Sequence, residues 1–286
     1  MPAPGPRGEE GGFLRSETGV RLLSALVLVA LALGTAWLGG YATGLFWLLA
    51  ATAAAREWLD VTKPERREPI WAAMFMGLIA LATSVMIAAP EAALLWLVLF
   101  PAGILVFGGR WRDRLWSLLG FAVVVILATA PSIVREHPAL GLTGLLWIFA
   151  VVWGTDVAAY FTGRALGGPK LAPRISPGKT WSGFFGGLVV GTLAGALVVA
   201  AGEALGWERP LGWTAIVVLT AVASVIGQAG DLAESKLKRH FNVKDSSRLI
   251  PGHGGVLDRI DAFVAVCAFV LLSLGIATLA GGSATG

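Results

Sequence analysis

A chain of 286 residues that is 56% hydrophobic and 14% charged, with a mean hydropathy of +0.75, is too apolar for a water-soluble domain, where about a quarter of residues carry charge. Its single cysteine, Cys267, excludes a disulfide framework and any multi-thiolate metal site. The glycines and prolines follow no G-X-Y period, which excludes collagen, and dense apolar runs exclude disorder. What remains is an all-α, polytopic membrane protein.

Residues 1–19 are polar and rich in Pro and Gly, and read as a disordered tail. The apolar run that follows is longer than the core of a cleaved signal peptide, and a second run comes almost at once. Stretches long enough to cross a bilayer, about 20 residues at about 1.5 Å each, recur near 22–38, 41–56, 70–89, 92–108, 115–134, 142–162, 183–202, 211–230 and 259–280, giving about nine spans. They must be helical, because lipid offers backbone amides no partner. The fourth contains Pro101, which a span tolerates where neighbours satisfy the freed carbonyl. Residues 20–135 form an N-terminal set of transmembrane helices. Residues 136–286 form a C-terminal catalytic region with cytoplasmic loops at 163–182 and 231–258.

Twenty of the 22 Lys and Arg residues fall in the tail and in every second connection, and only Arg135 and Arg209 fall in the others. By the positive-inside rule the N-terminus is cytoplasmic. The same asymmetry accounts for the pI near 9.6 without any nucleic-acid partner. Six tryptophans near span ends (Trp37, Trp58, Trp71, Trp111, Trp116 and Trp181) read as an interfacial belt.

Two polar segments are patterned too specifically to be mere connectors. In the first, Asp156 lies inside the sixth span with Tyr160 one turn on, and an intramembrane acid normally faces a bundle interior. The loop after it carries Gly167, Gly168 and Gly178 with Lys170, Arg174 and Lys179, a composition able to wrap an anion. Gly178-Lys179-Thr180 resembles only the end of a P-loop, whose full spacing is missing.

The second segment runs from Gly230 to Asp261. Asp231 sits where the eighth span ends, with Glu234, Ser235 and Lys238 on its helical face. A glycine-rich turn, Pro251-Gly252-His253-Gly254-Gly255, precedes Asp258 and Asp261 at the start of the ninth span. Asp258 alone could be a helix N-cap. Asp231, Asp258 and Asp261 together form a set of oxygen donors suited to a hard cation such as Mg²⁺. The interleaved bases suit polyphosphate, and this combination serves phosphoryl and nucleotidyl transfer.

Ser235-Lys236-Leu237-Lys238-Arg239, then Lys244-Asp245, then Ile250-Pro251-Gly252-His253-Gly254-Gly255-Val256-Leu257-Asp258-Arg259-Ile260-Asp261 resemble the signature of the phosphatidate cytidylyltransferases, or CDP-diacylglycerol synthases. Gly230-Asp231 with Glu234-Ser235, and Ile175-Ser176-Pro177 with Lys179-Thr180-Trp181, resemble further motifs of that family. The resemblance covers the C-terminal half; the N-terminal half matches only as a run of spans. Two positions depart: the family usually has Lys where this chain has Gly178, and Glu where it has Ser182.

The resemblance implies transfer of CMP from CTP to phosphatidic acid with Mg²⁺, a second cation such as K⁺ being compatible. It implies an integral protein of the inner membrane, working on the cytoplasmic side among membrane lipids, and a homodimer. On this reading Asp231, Asp258 and Asp261 hold the metal. Lys238, Arg239, Lys244, Arg248 and Arg259 neutralise the triphosphate and the lipid phosphate. Ser176, Lys179 and Thr180 assist from the other loop, and Gly254 and Gly255 offer backbone amides. Asp156 and Tyr160 border the lipid-phosphate entrance. His253 binds phosphate, protonates the leaving group or simply steadies its turn.

A secondary transporter would also carry intramembrane acids, but the charges here gather at one face and no inverted repeat is visible. A lipid-alcohol kinase, or an enzyme cytidylylating another lipid phosphate, lies closer in chemistry. A CDP-alcohol phosphotransferase is disfavoured by the missing D-G-x-x-A-R…G-x-x-x-D-x-x-x-D pattern.

Overall fold

The computed structural model describes residues 17–207, 209 and 211–282. Within them the chain is a bundle of nine helices: α1 (Glu17–Leu38), α2 (Gly40–Thr62), α3 (Arg67–Met86), α4 (Pro90–Phe107), α5 (Trp111–Glu136), α6 (Gly141–Leu166), α7 (Trp181–Ala204), α8 (Trp213–His240) and α9 (Leu257–Gly282). Most of the expected tail, residues 1–16, lies outside the described residues, and its last three residues belong to α1. Each expected span falls on one helix.

Eight of the nine helices are long and apolar enough to cross a membrane, and α2 is the exception. Its course shows why it need not be. Gly40 N–H donates to Glu136 at one end of the bundle, and Glu57 is bonded to the start of α9 at the other. Between these points α2 buries one face in the bundle, with Ala51, Ala54, Ala55, Trp58 and Leu59 fully or nearly buried, while Leu45 and Leu49 face outward. A helix sheltered by its neighbours can carry glycine, threonine and ionic groups that lipid would not accept. The protein is a multi-pass integral membrane protein.

Trp58, expected in the interfacial belt, is a core residue instead. It is 4% exposed, and its indole N–H donates to the carbonyl of Trp116 at 2.9 Å. Trp37, Trp111 and Trp181 are exposed, as a belt requires.

The tightest seam joins α6 to α7. Gly183, Gly187, Gly191 and Gly195 recur every fourth residue of α7 and are all buried. A Cβ on Gly187 would stand 2.9 Å from the Thr155 carbonyl, and one on Gly183 2.7 Å from the Ala159 carbonyl. Small residues at this spacing let two membrane helices meet backbone to backbone.

The polar segments also depart from simple loops. α8 has 28 residues, about 42 Å of helix, and so outruns a hydrocarbon core of about 30 Å by about two turns. The helical face expected from Asp231 to Lys238 is thus the end of α8, which continues to His240, and only the rest of the segment, as far as α9, is a loop. Between α6 and α7 the chain makes a small antiparallel hairpin, β1 (Lys170–Ala172) with β2 (Ser176–Thr180), pairing Lys170 with Thr180 and Ala172 with Ser176.

Candidate active site

Three segments wall a cavity of about 540 Å³: the last turns of α6, the hairpin with the start of α7, and the middle of α8. Asp156, Tyr160 and Arg164 line it from α6, Lys170, Lys179 and Thr180 from the hairpin, and Gln228 and Asp231 from α8. Thr180 caps α7, its Oγ1 accepting from Gly183 N–H at 3.1 Å, so this residue builds the wall as well as lining it. The hairpin is pinned at two places. Arg239 Nε donates to the Ile175 carbonyl at 3.4 Å, and the Ser182 hydroxyl donates to the Gly167 carbonyl. Ser182, one of the departures from the family pattern, thus closes the base of the hairpin. Ser176 lies on β2 opposite Ala172 and is not among the cavity-lining residues.

Charge in the cavity is paired across its walls. Lys179 Nζ stands 2.5 Å from Asp231 Oδ2, and Tyr160 Oη accepts from Arg164 at 2.8 Å. Asp231 and Asp156 lie close enough to act on each other electrostatically, and both act on Asp261 of α9. Their approach rests on small residues, since a Cβ on Gly230 would come within 2.9 Å of the Asp261 carbonyl oxygen. Lys179 of the first polar segment and Asp231 of the second are thus brought together, beside Asp156.

Asp258 does not share that environment. Its Oδ1 accepts from Lys238 Nζ at 2.7 Å. Its Oδ2 accepts from the Ser246 hydroxyl at 3.0 Å, the Ser246 amide at 3.0 Å and the Gly255 amide at 2.8 Å. Lys238 also pairs with Glu234 at 2.7 Å. Both oxygens of Asp258 thus accept from protein donors, and the residue clasps the motif loop to α8. It is also not the N-cap, being the second residue of α9. Among the described residues, no three His, Cys, Asp or Glu side chains gather as a self-sufficient metal cage.

The glycine-rich turn is held from both sides. Gly252 and Gly254 take positive φ of 75° and 84°, the left-handed conformation that glycine adopts without strain. The Arg259 guanidinium donates twice to the His253 carbonyl, at 3.0 and 2.8 Å. His253 Nδ1 lies 2.8 Å from the Ser24 hydroxyl of α1. That contact favours the turn-steadying reading of His253 at this nitrogen. Lys244 and Arg248 are exposed on the loop between α8 and α9.

One residue of this region had no signature in the sequence. Glu57 of α2 is 3% exposed and reaches the motif loop across 189 to 200 residues of chain. Oε1 accepts from the Ser247 hydroxyl at 2.6 Å and Val256 N–H at 2.9 Å. Oε2 accepts from the Ser246 hydroxyl at 3.0 Å and Leu257 N–H at 2.8 Å. Its neighbours in sequence, Arg56 and Trp58, give no sign of these contacts.

The arrangement offers basic side chains, carboxylates and an open chamber at one end of a membrane bundle, which suits the handling of phosphate anions. The sequence profile of the Cytidylyltransferase family matches residues 19–277. A protein of Brucella suis biovar 1 named phosphatidate cytidylyltransferase is 41% identical over 254 residues, 88% of this chain and 91% of the relative. A protein of the same name from Pseudomonas aeruginosa is 37% identical over 261 residues, 86% and 92% of the two chains. One from Bacillus subtilis is 45% identical over 143 residues, about half of each. With the family profile spanning nearly every helix, and relatives of 37–41% identity covered over most of their length, the chain belongs to the cytidylyltransferase family.

Proposed function

We propose that the protein is a phosphatidate cytidylyltransferase, making CDP-diacylglycerol and pyrophosphate from CTP and phosphatidic acid. The observation that carries this reading is the chamber itself, where Asp231, Lys179 and Asp156 stand beside the clasped motif loop. In the reaction a phosphate oxygen of phosphatidic acid attacks the α-phosphorus of CTP. A new P–O–P bond forms, the bond from the α-phosphorus to the bridging oxygen breaks, and pyrophosphate leaves with that electron pair. The nucleophile is already an anion, so the difficulty is bringing two polyanions together, and preorganised positive charge is the remedy. Lys170, Lys179 and Arg164 supply it inside the chamber, Arg239 beside the hairpin, and Lys244 and Arg248 would add to it from the exposed loop after α8. Tyr160 and Asp156 border the side from which a lipid phosphate would come.

Asp231 and Asp261 are the residues that would hold Mg²⁺, with Asp156 close by. Mg²⁺ commonly takes one or two carboxylates and completes its shell with substrate phosphates and water, so an incomplete protein cage fits this ion. When bound it neutralises phosphate charge in the transition state. Asp258 keeps Lys238 and the motif loop in place and is not part of that ligand set. The basic residues of the site belong to the Lys/Arg-rich side of the chain, which supports an active site on the cytoplasmic face of the inner membrane, where CTP is found.

The test is turnover by purified protein in detergent, with CTP or ATP and a panel of lipid phosphates and lipid alcohols. Pyrophosphate release and CDP-diacylglycerol are expected from CTP with phosphatidic acid. Transfer from ATP to a lipid alcohol, or no pyrophosphate with any pair, would refute the reading.

A further inference from the structure

Glu57 receives four hydrogen bonds, and every one of its partners is a donor. Two are hydroxyls of the loop that follows α8, and two are amides at the start of α9. Those amides are among the orphan N–H groups that any helix leaves at its first turn, and a carboxylate there also meets the positive end of the helix dipole. Glu57 thus caps α9 from another helix. The Ser246 hydroxyl lies 3.0 Å from Glu57 Oε2 and 3.0 Å from Asp258 Oδ2, so the two carboxylates share its single proton and this side chain links them. Beyond Asp258 the chain of contacts runs to Lys238 and Glu234. Gly255 fits the same design, because a Cβ there would come within 2.6 Å of Glu57 Oε2.

We infer that Glu57 is a positioning residue for the transfer reaction, acting through Ser246 to set the orientation of Asp258 and, through it, of Lys238. This rests on the cytidylyltransferase reading of the site. The geometry makes a specific demand: Glu57 must accept on both oxygens. Glutamine, although the same shape, would turn an NH₂ toward the Val256 or Leu257 amide, and two donors cannot pair.

The experiment compares steady-state kinetics in CTP and in phosphatidic acid, and thermal unfolding in detergent, for wild type, Glu57→Gln, Ser246→Ala, Ser247→Ala and the Glu57→Gln/Ser246→Ala double variant. Glu57→Gln and Ser246→Ala should each lower kcat on the order of 10- to 100-fold, the scale of a misplaced catalytic group, with the KM for CTP moving less than about threefold. The double variant should fall no more than about threefold below the worse single, because both changes cut one path. Ser247→Ala removes a Glu57 bond without touching Asp258 and should stay within about threefold of wild type. Losses that multiply in the double variant overturn the inference, as does Glu57→Gln with normal kcat. If Glu57→Gln fails to fold, the two serine variants decide, and equal losses in both overturn it by showing a general structural role. Wild type inactive with CTP and phosphatidic acid would instead remove the functional reading beneath it.

Discussion

Replacing Lys238 with methionine tests the centre of the motif. The Lys238 side chain is 14% exposed and lies 2.7 Å from both Glu234 and Asp258, which are 12% and 6% exposed. At an effective dielectric of about 20, each contact is a Coulomb attraction of about 6 kcal/mol before desolvation is charged against it. The net value of the pairs is far smaller, but removing only the cation leaves two carboxylates shut from water with no counter-charge. Breaking a buried pair from one side typically costs about 3–5 kcal/mol. Glu234 is the more exposed to this loss, since its buried Oε2 accepts no hydrogen bond besides the ionic contact with Lys238. Lys238→Met should therefore lower the unfolding midpoint in detergent and reduce CDP-diacylglycerol formation at least about 100-fold. Adding Glu234→Gln should recover part of the stability, by removing one stranded charge, and little of the activity. A single variant that unfolds with wild type and turns over within about threefold would refute the reasoning.

Three further outcomes follow from the geometry. Asp261→Asn should reduce turnover about 100-fold and raise the Mg²⁺ concentration needed for half-maximal rate, and an unchanged Mg²⁺ titration would take Asp261 out of the ligand set. Gly187→Leu places a side chain against the Thr155 carbonyl and Ala159. It should destabilise the bundle by about 1–3 kcal/mol or more, seen as a lowered unfolding midpoint together with lost activity, because α6 carries Asp156. Ser24→Ala removes the hydroxyl on His253 Nδ1 and should cost about 1 kcal/mol while leaving turnover within a few-fold. A much larger kinetic loss would assign His253 a catalytic role beyond steadying its turn.

Much of this architecture can be read from the residues because the bilayer imposes a simple rule. Runs such as 115–134 and 259–280 have to be helices wherever lipid surrounds them, and α5 and α9 cover both. The motif from Ser235 to Asp261 was equally legible, since its chemistry is written in consecutive residues. What escaped was whatever depends on distance along the chain. Glu57 acquires its role only when α2 crosses the bundle to meet α9, and no local pattern near Arg56-Glu57-Trp58 announces it. The hairpin escaped because Lys170–Ala172 and Ser176–Thr180 are short and enclose a proline, with no alternation to reveal strands. The partners of Asp258 escaped for a related reason. The spacing of Asp258 and Asp261 shows that they share a helix, but not that Lys238 and Ser246 reach one of them first.

The glycine seam between α6 and α7 has a mechanical corollary. Helices held this close, with the Cα atoms of Gly183 and Gly187 against carbonyls of α6, leave little room to part, so the floor of the chamber should act as a stiff plate. Any widening that admits a bulky two-tailed guest must then be taken up by the β1–β2 flap, whose fastenings are Arg239 on one flank and Ser182 on the other. Loosening either fastening would alter how fast guests come and go while leaving the plate beneath them untouched.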